Sequence, residues 1–407
     1  MTIKNMRRRL SLLFACVLIF QLLPPAALAE EPEIKVTIAT GSLGRPLADI
    51  PVEWDTAWFA SDASAYRQEL ALTALALSGA AYVEKQDSLS VQDALKALGF
   101  GAVQSYHYEA SKDIGDRTAY TFGLQKLESR KGKAQYLAAV VVRGTGEYME
   151  WASNLNVGTD SDHTGFLRAE KELRANLKRY LSQAGITGPA DGSVKFLITG
   201  HSRGGAVANL LAARLCEAKL AKQGNIYAYT FAAPAVSTQA CEEGYEWIFN
   251  IINPEDLVTQ VPLEAWGYRR YGVDLPLPVE DSGELFSAMN RQYKALTGQD
   301  YAGYQDPKAT EKITAALLRL APAPKGAGMA MLSALLSGDL DGLSELAEQN
   351  GIAALLLGKT AVEAASEITP LIRQERAGMR SAHCAAGYYS WLSASPGLPE
   401  MLRQEKP

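Results

Sequence analysis

One serine stands between two glycines in Gly200-His201-Ser202-Arg203-Gly204, directly after the apolar run Phe196-Leu197-Ile198. A serine hydroxyl attacks a carbonyl carbon only when a neighbouring imidazole accepts its proton, and the imidazole needs an acid to fix its tautomer and stabilise its charge. Gly-x-Ser-x-Gly suits such a nucleophile where a strand turns sharply into a helix, with small residues wherever the two nearly touch. Alone the pattern is weak, because a chain with 34 glycines in 407 residues supplies roughly 0.2 matches by chance. Its surroundings strengthen it. Residues 194–199 read as a short buried strand bounded by Asp191-Gly192-Ser193, and Gly204, Gly205, Ala206 and Ala208 open a helix with a wide apolar face. The alternative is a plain glycine turn between a buried strand and a helix.

The partners follow from chain order, which with this kind of turn runs serine, acid, histidine. His107 and His163 precede Ser202, and His201 adjoins it with a side chain expected to point away. His383 is the one histidine downstream, although a histidine near a helix terminus also needs no further role. For the acid, the strand at 247–252 runs into Asn253-Pro254-Glu255-Asp256-Leu257-Val258. Asp256 is preferred over Glu255, which follows Pro254 on the entering side, and Asp256 would equally serve as a helix N-cap. An oxyanion requires two donors: the backbone N–H of Arg203, and the loop Val142-Arg143-Gly144-Thr145, where Gly144 permits close approach and Thr145 offers its N–H and hydroxyl.

The elements that must hold these residues alternate. Helical spacing over 63–98 gives way to strand-like runs at 106–108, 118–122 and 136–142. Helix is expected at 166–181 and 205–221, and strand at 226–231 and 247–252. The run Leu137-Ala138-Ala139-Val140-Val141-Val142 has the continuous apolar character of a strand buried on both faces. This predicts an α/β fold with a mostly parallel sheet flanked by helices over 58–262 and 381–407. Residues 30–57, with Pro32, Pro46 and Pro51, read as an irregular leader. Residues 263–380 are Ala- and Leu-rich helical segments broken by Pro and Gly, and read as a helical insertion or cap between acid and histidine. Its runs at 328–332 and 352–357 are more apolar than a solvated helix requires, so charged substitutions at Met331 or Leu356 are expected to weaken turnover of long-chain esters more than short.

Lys4 and Arg7 to Arg9, an apolar stretch at 10–23 and Ala27-Leu28-Ala29 read as a signal peptide over 1–29, cleaved before Glu30 for export. A membrane anchor needs about 20 apolar residues, and Pro24-Pro25 stops this one early; lipoprotein processing at Cys16 is disfavoured because the apolar run continues past it. Cleavage moves the net charge from −5 to −9, which argues against nucleic acid as a partner. It also leaves Cys216, Cys241 and Cys384, enough for one disulfide at most. No Cys-x-x-Cys or His-x-x-x-His spacing appears, and neither metal nor cofactor is expected.

Taken together, Arg143-Gly144-Thr145, His163-Thr164-Gly165-Phe166, Gly200 to Ala206, Phe231-Ala232-Ala233-Pro234, Asn253 to Val258 with Pro262, and His383 resemble the class 3 (fungal-type) lipases, in family order over about residues 70–395. The resemblance implies an α/β-hydrolase fold, with Ser202, Asp256 and His383 as the triad, Thr145 in the oxyanion hole and His163 as a structural neighbour. It implies a bacterial-type secreted serine ester hydrolase acting on lipid esters, in transient contact with a lipid surface. A phospholipase, an acyltransferase on the same fold and a non-catalytic secreted binding module are the alternatives. Two features depart from the family pattern: Arg203 replaces the usual leucine, and the large insertion lies between acid and histidine, not after the oxyanion strand.

Overall fold

The computed structural model describes residues 34–42, 45–108, 118–127, 134–144, 162–279, 283–319, 353–395 and 397–398. The expected signal peptide, Thr145 and Met331 lie outside them, as does the side chain of Leu356.

A seven-stranded sheet organises the molecule, in the order β3 (Gly101–Tyr106), β4 (Tyr120–Leu127), β5 (Gln135–Val142), β6 (Val194–His201), β7 (Ile226–Phe231), β8 (Ile248–Ile252) and β9 (Val273–Pro276). Two strands, β1 (Ile34–Ser42) and β2 (Arg45–Trp54), precede it in the chain and form a separate sheet. β3 and β4 run antiparallel to their neighbours, and β5 to β9 are parallel. The expected mostly parallel sheet is therefore present. Helices α3 (Thr164–Gln183) and α4 (Arg203–Arg214) cross over between β5 and β6 and between β6 and β7, while α1 (Gln68–Ala80) packs against β6 on the other side. The period-two alternation of β6 shows the two sides directly: Thr199 Oγ1 reaches the Ala74 carbonyl of α1 at 3.1 Å, and the next residue, Gly200, abuts Gly204 of α4. With helices on both faces, every residue from Leu137 to Val142 is fully buried. Helix α2 (Ser90–Ala97) is separated from α1 by turns, so the helical spacing over 63–98 resolves into two helices.

Two expectations are corrected. The irregular leader expected at 30–57 is corrected over its described part, because β1 (Ile34–Ser42) and β2 (Arg45–Trp54) form an antiparallel pair that packs on α1. Pro46 and Pro51 signalled irregularity, but each strand of a two-stranded sheet has one open edge, and a proline whose nitrogen faces away from the partner costs no ladder bond. Ile50, Val52 and Trp54 alternate inward from β2 and are buried. The insertion does not begin at 263 either. β9 extends the sheet beside β8, and Gly272 makes this possible, since a Cβ there would fall 2.3 Å from the Ile248 carbonyl oxygen.

Beyond β9 come α5 (Glu284–Thr297), α6 (Ala309–Leu318), α7 (Ala353–Gln374), α8 (Arg376–His383) and α9 (Ala385–Ala394). Ile313, Leu317, Ala364, Ile368 and Met379 from α6, α7 and α8 share a small apolar core with Leu257, Val261 and Leu263. The helices that follow the acid-bearing turn are thus packed on that turn.

Candidate active site

Ser202 sits where β6 ends and α4 begins, with φ 58° and ψ −132°, a conformation rare for any residue with a side chain. Its N–H donates to the Phe231 carbonyl at 2.9 Å and its carbonyl accepts from Ala206 N–H at 3.2 Å, so strand and helix each hold one side of the turn. The flanking glycines have steric reasons. A Cβ on Gly200 would lie 2.3 Å from the Gly204 oxygen, and one on Gly204 would lie 2.3 Å from the Val142 oxygen. Gly144 is as tightly placed: a Cβ there would come within 3.1 Å of the Ser202 Cβ.

Around this serine the structure brings together the two partners expected downstream. His383, the last residue of α8, places Nε2 3.0 Å from Ser202 Oγ and Nδ1 2.8 Å from Asp256 Oδ2. All three residues are buried. Asp256 is also an N-cap, because its Oδ1 accepts from Val258 N–H at 3.0 Å and starts the 3-10 turn Leu257–Gln260. The two readings of Asp256 therefore coexist, one on each carboxylate oxygen. Glu255 turns elsewhere and accepts from the Tyr301 hydroxyl at 3.3 Å.

Arg203 is the first residue of α4, where a backbone N–H has no partner within the helix. Of the remaining histidines, His107 Nε2 lies 2.8 Å from Glu172 Oε1, away from this cluster. His163 precedes α3, is buried, and stacks on Phe166 at 3.8 Å between ring centroids. His201 does avoid Ser202 Oγ, but it faces α8. Its Nε2 lies 2.8 Å from the His383 carbonyl oxygen and its Nδ1 3.1 Å from the Tyr82 hydroxyl.

Tyr388 and Arg270 escaped the sequence reading, and Asn253 entered it only as part of the acid-bearing turn. The Tyr388 hydroxyl donates to Asp256 Oδ2 at 2.9 Å and accepts from Asn253 N–H at 2.9 Å. Asn253 Nδ2 donates to the Ala382 carbonyl at 3.1 Å. Arg270 Nη1 donates to the Ala233 carbonyl at 3.0 Å and to the Thr259 carbonyl at 2.9 Å, tying the turn after β7 to the turn after β8. Neither Tyr388 nor Arg270 lies at a fixed spacing from the residue it supports, so no motif search finds them. Cys216, Cys241 and Cys384 are free thiols, and among the described residues no group of three or more His, Cys, Asp or Glu is placed to hold a metal.

Chemically, this arrangement withdraws a proton from one hydroxyl. His383 Nδ1–H donates to the carboxylate, which leaves Nε2 bare to accept from Ser202 Oγ. His201 does not compete for that proton. Burial first, and the neighbouring His383 second, push its pKa down to about 3 from the ordinary 6.5. The folded value lies below the unfolded one, so between those pH values the unfolded chain binds the extra proton. His201 accordingly gives its full contribution to stability above about pH 6.5 and loses it as the pH falls toward 3, at roughly 1.4 kcal/mol per pH unit. Urea unfolding at about pH 7 and pH 5 should show a smaller acid loss in His201→Gln than in wild type; equal losses would mean that His201 does not titrate this way.

Residues 139–266 match the family model described as lipase (class 3). Among curated proteins, the secreted mono- and diacylglycerol lipase 1 of Fusarium solani is 34% identical over 145 residues, which cover 32% of this chain and 40% of that protein. The chain thus spans less than half the length of the curated relative it matches. Solved structures include the lipase of Rhizopus microsporus var. chinensis, at 21% identity over 62% of this chain and 81% of that one, with a TM-score of 0.39. The mono- and diacylglycerol lipase of Aspergillus oryzae is 18% identical over 54% and 82% of the respective chains, with a TM-score of 0.34.

Proposed function

We propose that this chain is an exported serine ester hydrolase of the class 3 lipase type, acting on lipid esters through an acyl-enzyme on Ser202. The observation that carries the reading is the continuous chain from Ser202 Oγ to His383 Nε2 at 3.0 Å and from His383 Nδ1 to Asp256 Oδ2 at 2.8 Å. In acylation, Oγ attacks the ester carbonyl carbon while His383 takes its proton, and the Asp256 carboxylate stabilises the imidazolium. The tetrahedral oxyanion takes a hydrogen bond from the Arg203 N–H and a second from Thr145. Collapse breaks the ester C–O bond, and the alcohol leaves with the proton from His383. Water, activated by the same imidazole, then releases the acid and regenerates Ser202.

Partial glycerides are the first substrates to try, because the curated relative is named for mono- and diacylglycerol. A panel of p-nitrophenyl esters and emulsified mono-, di- and triacylglycerols, run on wild type and Ser202→Ala, tests the activity. Turnover by wild type alone supports the reading, and equal rates in both proteins overturn it. Phospholipid cleavage or transfer to an alcohol acceptor would redirect it to the corresponding enzyme class. Failure of Ser202 to react with a fluorophosphonate would favour a binding module. Export is read from the basic start, the apolar stretch and Ala27-Leu28-Ala29. N-terminal sequencing of protein recovered outside the cytoplasm should begin at Glu30, and an intact Met1 in a membrane fraction would favour an anchor.

A further inference from the structure

The carbonyls at the end of a helix lack partners within it, and α8 ends at the residue that matters most. Its last two carbonyls are nonetheless satisfied, each by a side chain from a different turn of the site. Ala382 O accepts from Asn253 Nδ2 at 3.1 Å, on the turn that carries Asp256. His383 O pairs with His201 Nε2 at 2.8 Å, on the turn that carries Ser202. A carbonyl only accepts, so His201 Nε2 bears the proton and, with the ring neutral, Nδ1 is left to accept from the Tyr82 hydroxyl at 3.1 Å. That hydroxyl also lies against the end of β5, where a Cβ on Gly144 would fall 2.1 Å from it. Hydrogen bonds therefore run from Tyr82 through His201 to the backbone of His383, and Tyr82 itself packs against Gly144 where the oxyanion strand ends.

We propose that His201 and Asn253 are positioning residues that cap the carbonyl end of α8, with Tyr82 fixing the His201 tautomer, so that the turns bearing Ser202 and Asp256 set the place of the His383 ring. Side-chain bonds from the His383 ring fix its rotation, but they do not fix its Cα. The two caps do, because they grip the peptide groups on either side of that Cα. A base displaced by about 1 Å loses on the order of 100-fold in rate, so the caps act on kcat.

The inference rests on the proposed triad, and its test separates the two. With Ser202→Ala as the inactive reference, His201→Leu removes the donor and His201→Gln returns an N–H at about the same reach. His201→Leu is expected to lower kcat, per site titrated with a fluorophosphonate, by 10-fold or more with KM within twofold. It should also shift the low-field proton resonance of the His383 Nδ1–H bond to Asp256, and His201→Gln should recover most of both. A purely structural role would reduce the number of titratable sites but leave kcat per site and the resonance as in wild type; that result, or an absence of rescue by Gln, overturns the proposal. If His201→Leu does not fold, Tyr82→Phe carries the same test, with a fall of about 3-fold or more in kcat per site and a moved resonance. Wild-type values for both would overturn it. An active Ser202→Ala would instead overturn the triad.

Discussion

Ser202→Ala and His383→Ala should each lower ester turnover by several orders of magnitude, roughly 10⁴ to 10⁶, and the double variant should lose little more than either single one. The reason is that the two side chains form one proton-transfer unit, with Oγ and Nε2 3.0 Å apart, so removing either disables the other. Asp256→Asn should be milder than loss of the serine, because the turn and its cap survive while the wrong tautomer of His383 is favoured. Steady-state rates on a soluble p-nitrophenyl ester, with circular dichroism to show folding, provide the check. Full activity in His383→Ala would remove the histidine from the mechanism and leave the buried Ser202–His383–Asp256 chain without a catalytic purpose.

Gly204→Ala should be nearly as damaging through sterics alone. The added methyl would meet the Val142 oxygen at 2.3 Å and the Arg143 carbonyl carbon at 2.7 Å. These are backbone atoms on the strand that leads into the oxyanion loop, so no side chain can swing aside. Either α4 lifts from the sheet or β5 shifts, and both movements separate Ser202 from Gly144. Overpacking of this kind costs typically 1 to 3 kcal/mol and occasionally more, and the displacement adds a loss of about 100-fold or more in turnover of the folded fraction. Gly224→Ala is the control, since nothing lies within 4 Å of a Cβ there. Thermal unfolding and turnover of the two variants should diverge sharply; a Gly204→Ala protein with wild-type values would mean that helix and strand leave room for a methyl group at this contact.

Elements whose signal is local were legible in the residues themselves. β7 was expected at 226–231 and is Ile226–Phe231, and β5 was expected at 136–142 and is Gln135–Val142. A strand covered by helices on both faces must be apolar at every position, and that run is visible in any short window. The nucleophile turn was legible for a related reason: Gly200, Gly204 and Gly205 record in sequence how closely helix and strand approach. The acid and the histidine could be picked by order along the chain, though nothing in the sequence measures a distance between them.

Everything else depended on how distant parts of the chain pack. The β1–β2 pair was hidden because its prolines mark an edge as readily as a loop, and β9 because Val273-Asp274-Leu275-Pro276 is too short and too polar to announce a strand. Tyr82, Arg270 and Tyr388 had no visible signal at all, and Asn253 was visible only as part of the turn that carries Asp256. Each is a polar side chain whose partner lies on a distant element: Tyr82 and His201 are 119 positions apart, and Asp256 and Tyr388 are 132. Burial periodicity reports that a residue faces inward, which is a property of its own neighbourhood. Which buried donor meets which buried acceptor is set by how helices and turns are stacked, and so the bonds that align the site were decided by the packed chain.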